Sequence, residues 1–146
     1  KGGKAAKLRE EADHWLPQIK GCPVVANSAE TGQGLDRVMQ AILDSRVPWQ
    51  KRISTSTLVR WLQETIDHHP PPAVTGRRIK LRYMTQAKTR PPTFVAFCSR
   101  PEALPESYLR YLVNGLRDSF DLKGTPIRFH LKKTDNPYAE TGRKIR

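Results

Sequence analysis

The stretch Asn27-Ser28-Ala29-Glu30-Thr31-Gly32-Gln33-Gly34 has the make-up of a ligand edge built from backbone. A small alanine and two glycines let amide N–H groups come close to a bound group. The stretch follows the apolar run Pro23-Val24-Val25-Ala26 and precedes helically spaced Leu35, Val38, Met39 and Ile42. It therefore falls at the C-terminal end of an expected strand, where open α/β sheets bind ligands. The same residues also suit a tight strand-to-helix turn, capped by Thr31 and relieved by its glycines. Local chemistry leaves both readings open.

A second group of residues offers different chemistry. Lys80 and Arg82, and then Arg128, His130 and Lys132, alternate with apolar side chains. Period-two alternation places them on one face of a sheet, with Arg77, Arg78, Lys88 and Arg90 flanking on loops. Lys and Arg there can pair with phosphates, and Arg can stack on bases. The same face could also dock on the protein's own upstream domains, or simply be solvated. The charge distribution bears on the choice. Residues 1–50 carry 7 Lys+Arg against 6 Asp+Glu, while residues 51–146 carry 19 against 8. A near-neutral segment followed by a strongly basic one favours a polyanionic partner for the second.

Catalytic signatures are missing. There is no Gly-x-x-x-x-Gly-Lys-[Ser/Thr] phosphate loop, no serine nucleophile elbow and no His/Cys set at metal spacing. His14, His68, His69 and His130 are scattered, and the 68–69 pair reads as a helix terminus. The chain itself is expected to be no enzyme and to hold no metal. Cys22 and Cys98 lie far apart in apolar surroundings and read as buried free thiols of a reducing, cytoplasmic protein. No apolar run approaches the roughly 18 residues of a membrane span. No partner at a membrane is expected.

The elements that must position these residues follow from pattern. Lys4 to Leu16 is rich in good helix formers, and Pro17 and Gly21 end it. Pro23–Ala26 reads as a strand buried on both faces, and Leu35–Ile42 as a one-sided helix with Asp36 in its first turn. Ser45–Lys51 reads as a connection. One strand makes no sheet, so residues 1–50 are expected to end an α/β domain whose other strands lie upstream. The second segment begins with the capping residues Ser54, Thr55 and Ser56 and a helix bearing Leu58, Trp61, Leu62 and Ile66. Pro70, Pro71 and Pro72 stop it. A half-buried strand with Ile79, Leu81 and Tyr83 inward comes next, then a loop at 89–92 and a covered strand from Thr93 to Cys98. Pro105-Glu106 open a helix carrying Leu109, Leu112, Val113, Leu116 and Phe120, and Ile127, Phe129 and Leu131 mark a last strand. The order is α-β-β-α-β, two helices on one face of three strands, with a loose tail over residues 135–146.

Particular strings carry a resemblance. Trp61-Leu62, His69-Pro70-Pro71-Pro72, Gly76 through Gln86, Lys88 through Phe94, Ser107 through Leu112, and Asn136-Pro137-Tyr138 resemble, in this order, the KH-like C-terminal domain of the Der (EngA) family of bacterial tandem GTPases. The resemblance implies the truncated end of a P-loop GTPase domain over residues 1–50, then a KH-like domain over 51–134. Ser28-Ala29 resembles the last nucleotide motif, in which the Ala29 amide meets the guanine carbonyl oxygen and Ser28 and Glu30 shape the turn. It further implies an intact protein that uses GTP/GDP with Mg²⁺ and acts in assembly of the large ribosomal subunit. Its partners would be rRNA and its own upstream G domains, with no tight nucleotide binding by this monomeric piece. One departure stands out: the second segment has no Gly-x-x-Gly clamp, because its glycines are Gly76, Gly115, Gly124 and Gly142. Binding there would rest on charge and shape.

Overall fold

A computed structural model describes residues 3–134. Among these residues the α-helices are α1 Gly3–Trp15, α2 Leu35–Trp49, α3 Thr55–His68 and α4 Glu106–Ser119. The strands are β1 Ala73–Val74, β2 Arg77–Arg78, β3 Leu81–Thr89, β4 Pro92–Cys98 and β5 Arg128–Lys133. Sheet order is β3-β4-β5, with β3 antiparallel and β5 parallel to the central β4. From residue 55 onward the main elements run α3-β3-β4-α4-β5, the expected α-β-β-α-β. The expected tail, with Asn136-Pro137-Tyr138, lies outside the described residues.

The second segment has its own core. Leu58 and Leu62 of α3 and Tyr108, Leu112 and Leu116 of α4 meet Leu81, Met84, Phe94, Ala96 and Cys98 of the sheet. Full burial of each such aliphatic or aromatic side chain contributes about 1.5–3 kcal/mol, enough collectively to hold two helices on one sheet face. Ser54 caps α3 by accepting from the Thr57 amide at 3.3 Å. Gly115 of α4 packs tightly against α3: a Cβ there would sit 3.0 Å from Trp61 Cζ2. Trp61 Nε1 then donates to Ser119 Oγ at 2.9 Å.

Residues 3–50 contrast with this. Neither α1 nor α2 contains a buried residue. Leu35, Met39, Ile42, Leu43 and Val47 of α2 stay exposed, as does Trp15. The amphipathic stripe of α2 is therefore present but uncovered. Pro23–Ala26, expected as a strand, forms no ladder, because no other strand among the described residues lies beside it. The expected connection from Ser45 is also replaced: α2 continues to Trp49 with Pro48 in its last turn, where the lost N–H removes only one helical bond. Cys98 is buried, which pushes its thiol pKa up, whereas Cys22 is half-buried; both are free.

A buried arginine joins the two segments. Arg117 is 3% exposed. Its Nη1 donates to the carbonyls of Thr125 at 2.6 Å and Leu122 at 3.3 Å, and its Nη2 to that of Gln18 at 3.1 Å. Burial pulls the guanidinium below its ordinary pKa, while the charge of Asp118 opposes that shift. Nearby, the Gly124 amide donates to the Lys20 carbonyl at 2.8 Å. Within the second segment, Gln86, 2% exposed, holds the start of the segment to β3: its carboxamide accepts from the Ile53 amide at 2.8 Å and donates to the Lys51 carbonyl at 2.9 Å.

Candidate functional site

The turn after Asn27 closes on itself. Ser28 N donates to the Gln33 carbonyl and Gly32 N to the Ser28 carbonyl, both at 2.9 Å. Ser28 Oγ accepts from the Thr31 amide at 3.3 Å, and Thr31 Oγ1 from the Gln33 amide at 3.4 Å. Ala29 and Glu30 form the exposed tip, and among the described residues their amides donate to no acceptor. Free N–H groups at the start of a helical turn are what an acceptor ligand needs. Thr31 does not cap α2; Gly34 occupies the cap position with φ 83° and no side-chain bond. The Thr31 hydroxyl instead accepts from the Gln33 amide within the turn.

Gly34 is fixed sterically as well. A Cβ there would lie 2.6 Å from the Ala26 carbonyl oxygen, whereas one at Gly32 would meet nothing within 4 Å. Both glycines have positive φ. Gly34→Ala is therefore expected to cost about 1–3 kcal/mol from backbone strain plus the clash, and Gly32→Ala the strain alone. Hydrogen exchange at the Ser28 and Gly32 amides measures the difference. Equal protection in the two variants would show that the clash at Gly34 is relieved elsewhere.

The sheet presents its other side outward, and the register fixes who stands there. Three rows cross it: Tyr83–Phe97–Lys132, Thr85–Val95–His130 and Lys88–Thr93–Arg128. The expected basic face thus gains Lys88 and keeps Arg128, His130 and Lys132, all exposed. Arg82 and Lys80 do not join the rows. The register shifts between Leu81 and Tyr83, leaving Arg82 as the extra residue of a bulge. Lys80 lies before β3, its amide held by Ser99 Oγ at 2.9 Å. Arg77 and Arg78 sit on a separate β1-β2 hairpin, which Arg100 pins through the Val74 carbonyl at 3.0 Å. Arg90 lies in the β3-β4 turn, near the Lys88–Arg128 end of the sheet.

The bulge also overturns the expected inward Tyr83. With one extra residue, the side chains from Tyr83 to Gln86 change face, until a second register shift between Gln86 and Lys88 restores the first alternation. Ile79 and Leu81 remain buried, while Tyr83 emerges 44% exposed against Phe97, ring centroids 5.7 Å apart. Alternation alone could not reveal this, although Met84 and Gln86 continuing the buried register marks the slip. Among the described residues no group of three or more His, Cys, Asp or Glu could hold a metal ion. No helix there is long and apolar enough to cross a membrane.

The fold defines a KH-like α+β module preceded by a helix–loop–helix piece whose turn carries the free amides of Ala29 and Glu30. A family model described as the KH-domain-like of EngA bacterial GTPase enzymes, C-terminal, matches residues 52–132. The chain belongs to that family. It is 62% identical over 135 residues to the GTPase Der of Azorhizobium caulinodans, covering 92% of this chain and 30% of that protein. It is 59% identical over 138 residues to the GTPase Der of Rhodopseudomonas palustris strain TIE-1, covering 94% and 30%. With the GTPase Der of Nitrobacter winogradskyi it shares 59% over 141 residues, covering 95% and 31%. The chain thus spans about 30% of the length of these curated relatives.

Proposed function

We propose that this chain is the C-terminal portion of a GTP-binding protein that acts in assembly of the large ribosomal subunit. Residues 1–50 would finish a G domain, and residues 51–134 would form the module that contacts rRNA. The observation that carries the reading is the outer sheet face. Its three rows hold Lys88, Arg128, His130 and Lys132 and no carboxylate. Like charges gathered without counter-charges are stabilised by a polyanion. Arg77 and Arg78 on the β1-β2 hairpin and Arg90 in the β3-β4 turn would extend that contact, with Lys80 and Arg82 at the margin.

The free amides at Ala29 and Glu30 fit a guanine base edge, with Ser28 Oγ holding the turn from behind. The Ala29 amide would donate to the guanine carbonyl oxygen. In the intact protein GTP, bound with Mg²⁺, would supply a hydrolysable phosphoanhydride; this chain contributes only the base edge. The bonds of Arg117 to the Gln18 carbonyl and of the Gly124 amide to the Lys20 carbonyl support a second role, in which the basic module also docks on the G domains and follows their nucleotide state.

Co-sedimentation of the chain with purified large ribosomal subunits tests the proposal. Pelleting is expected at about 50 mM salt and should fall steeply toward about 200 mM, as counterions released from phosphates gain less entropy in more concentrated salt. No pelleting at the lowest salt would place the ribosome contact outside this chain.

A further inference from the structure

We propose that the outer face of the β3-β4-β5 sheet is a seat for unpaired RNA. Bases would stack on the Tyr83–Phe97 pair while β5 holds successive phosphates. The inference rests on the rRNA reading above and names the form of RNA that the face selects.

Three features of the face point the same way. Tyr83 is 44% exposed and its ring lies 5.7 Å from that of Phe97, tilted by 55°. It is an open aromatic platform, not a plugged one. Every base has a π-face, so such a platform accepts any sequence whose bases are free to stack. Next, Lys132 shares the row with those rings, and Arg128 and His130 follow at alternate positions of β5. At two residues per step these side chains recur about every 6.6 Å along the edge of the sheet, a rail for the phosphates of an extended strand. Last, the middle row is low. Val95 is 9% exposed and Thr85 bonds Thr55 Oγ1 at 3.0 Å, so neither rises to block a strand lying across.

Other occupants fit less well. An A-form duplex keeps its base faces covered by their neighbours and offers only backbone and groove edges, which leaves the aromatic platform without a partner. A protein surface would need carboxylates opposite both Lys88 and the β5 rail, with an apolar spot opposite Tyr83. The missing Gly-x-x-Gly clamp matters here too. The β4-to-α4 connection, residues 99–105, contains no glycine, so the backbone grip must come from the β5 side chains and affinity from stacking.

Fluorescence anisotropy of the 146-residue chain with a labelled oligouridylate of about 12 nucleotides, and with a labelled RNA hairpin, tests this. Oligouridylate should bind more tightly than the hairpin stem. Tyr83→Ala should weaken it roughly tenfold or more, and Tyr83→Phe should not. The salt slope should be unchanged in Tyr83→Ala but fall by about 0.7 in Lys132→Gln, which removes one phosphate contact. Upfield NMR shifts of the Tyr83 ring in the wild-type chain give a reading that needs no variant. The proposal is overturned if the Ala variant, melting normally, keeps full affinity, or if the hairpin binds as tightly. It also falls if the Tyr83 ring proves covered by upstream chain in the intact parent. Subunit pelleting that persists alongside any of these results leaves the rRNA reading intact, whereas loss of pelleting and of both RNA ligands removes both.

Discussion

Replacing Arg117 by methionine is expected to lower the unfolding free energy by about 3 kcal/mol, read as a lower urea midpoint. The sign depends on two opposing effects. Relief of a buried cation's desolvation favours the variant by several kcal/mol. Against it stand the hydrogen bonds to the carbonyls of Thr125, Leu122 and Gln18, each worth about 1.5–3 kcal/mol because the donor is charged. Without the guanidinium the buried Thr125 carbonyl loses its 2.6 Å donor and the Leu122 carbonyl keeps only the Thr125 amide at 3.3 Å, and methionine can replace neither bond. The contacts win, as they do when one partner of a buried polar set is removed alone. Arg117→Lys should recover only part of the loss, because an ammonium cannot span carbonyls that the planar fork reaches in two directions. The Gly124 amide, bonded to the Lys20 carbonyl at 2.8 Å, should lose hydrogen-exchange protection first. A methionine variant as stable as wild type would show that the carbonyls rehydrate at little cost.

The second large effect is expected at the outer face. Lys88→Glu, Arg128→Glu and Lys132→Glu together should weaken association with large ribosomal subunits by two to three decades near 0.1 M salt, taking roughly 0.7–0.9 of a salt-slope unit per lost phosphate contact. The three side chains are exposed, so the fold should tolerate the change. Lys4→Glu, Lys7→Glu and Arg9→Glu on exposed positions of α1 alter the net charge equally and serve as the control. If both triple variants lose the same affinity, net charge governs the association and the sheet face has no special place in it.

Much of the fold was legible because its signals are local. Ser54 announces α3, the spacing of Leu58 and Leu62 gives its buried face, and alternation through Ile127, Phe129 and Leu131 gives β5. What escaped depends on pairing. The slip at Arg82 is decided by how β3 meets β4, and one residue of slip transfers Tyr83 from core to surface. Pro23–Ala26 has a strand's composition but no neighbour to bond. The short β1-β2 hairpin around Thr75-Gly76 was hidden among the prolines. Arg117 had a faint signal: it lies four residues beyond Val113 and eight beyond Leu109, within the apolar arc of α4. Its acceptors, however, come from loops up to 99 residues away in sequence. For the site, the cations of β5 were readable from alternation, but the aromatic platform beside them was not.

The Gln86 carboxamide has a mechanical consequence. By gripping the chain at both Lys51 and Ile53, it removes the freedom of the short passage between α2 and α3. Lys51 Nζ adds a strut to the Phe120 carbonyl at 2.8 Å. The passage is thus a splint, not a swivel: a displacement of α2 is delivered to the sheet as the tilt of a rigid lever arm. A protease probing residues 46–53 should find little slack there, and Gln86→Ala should create it.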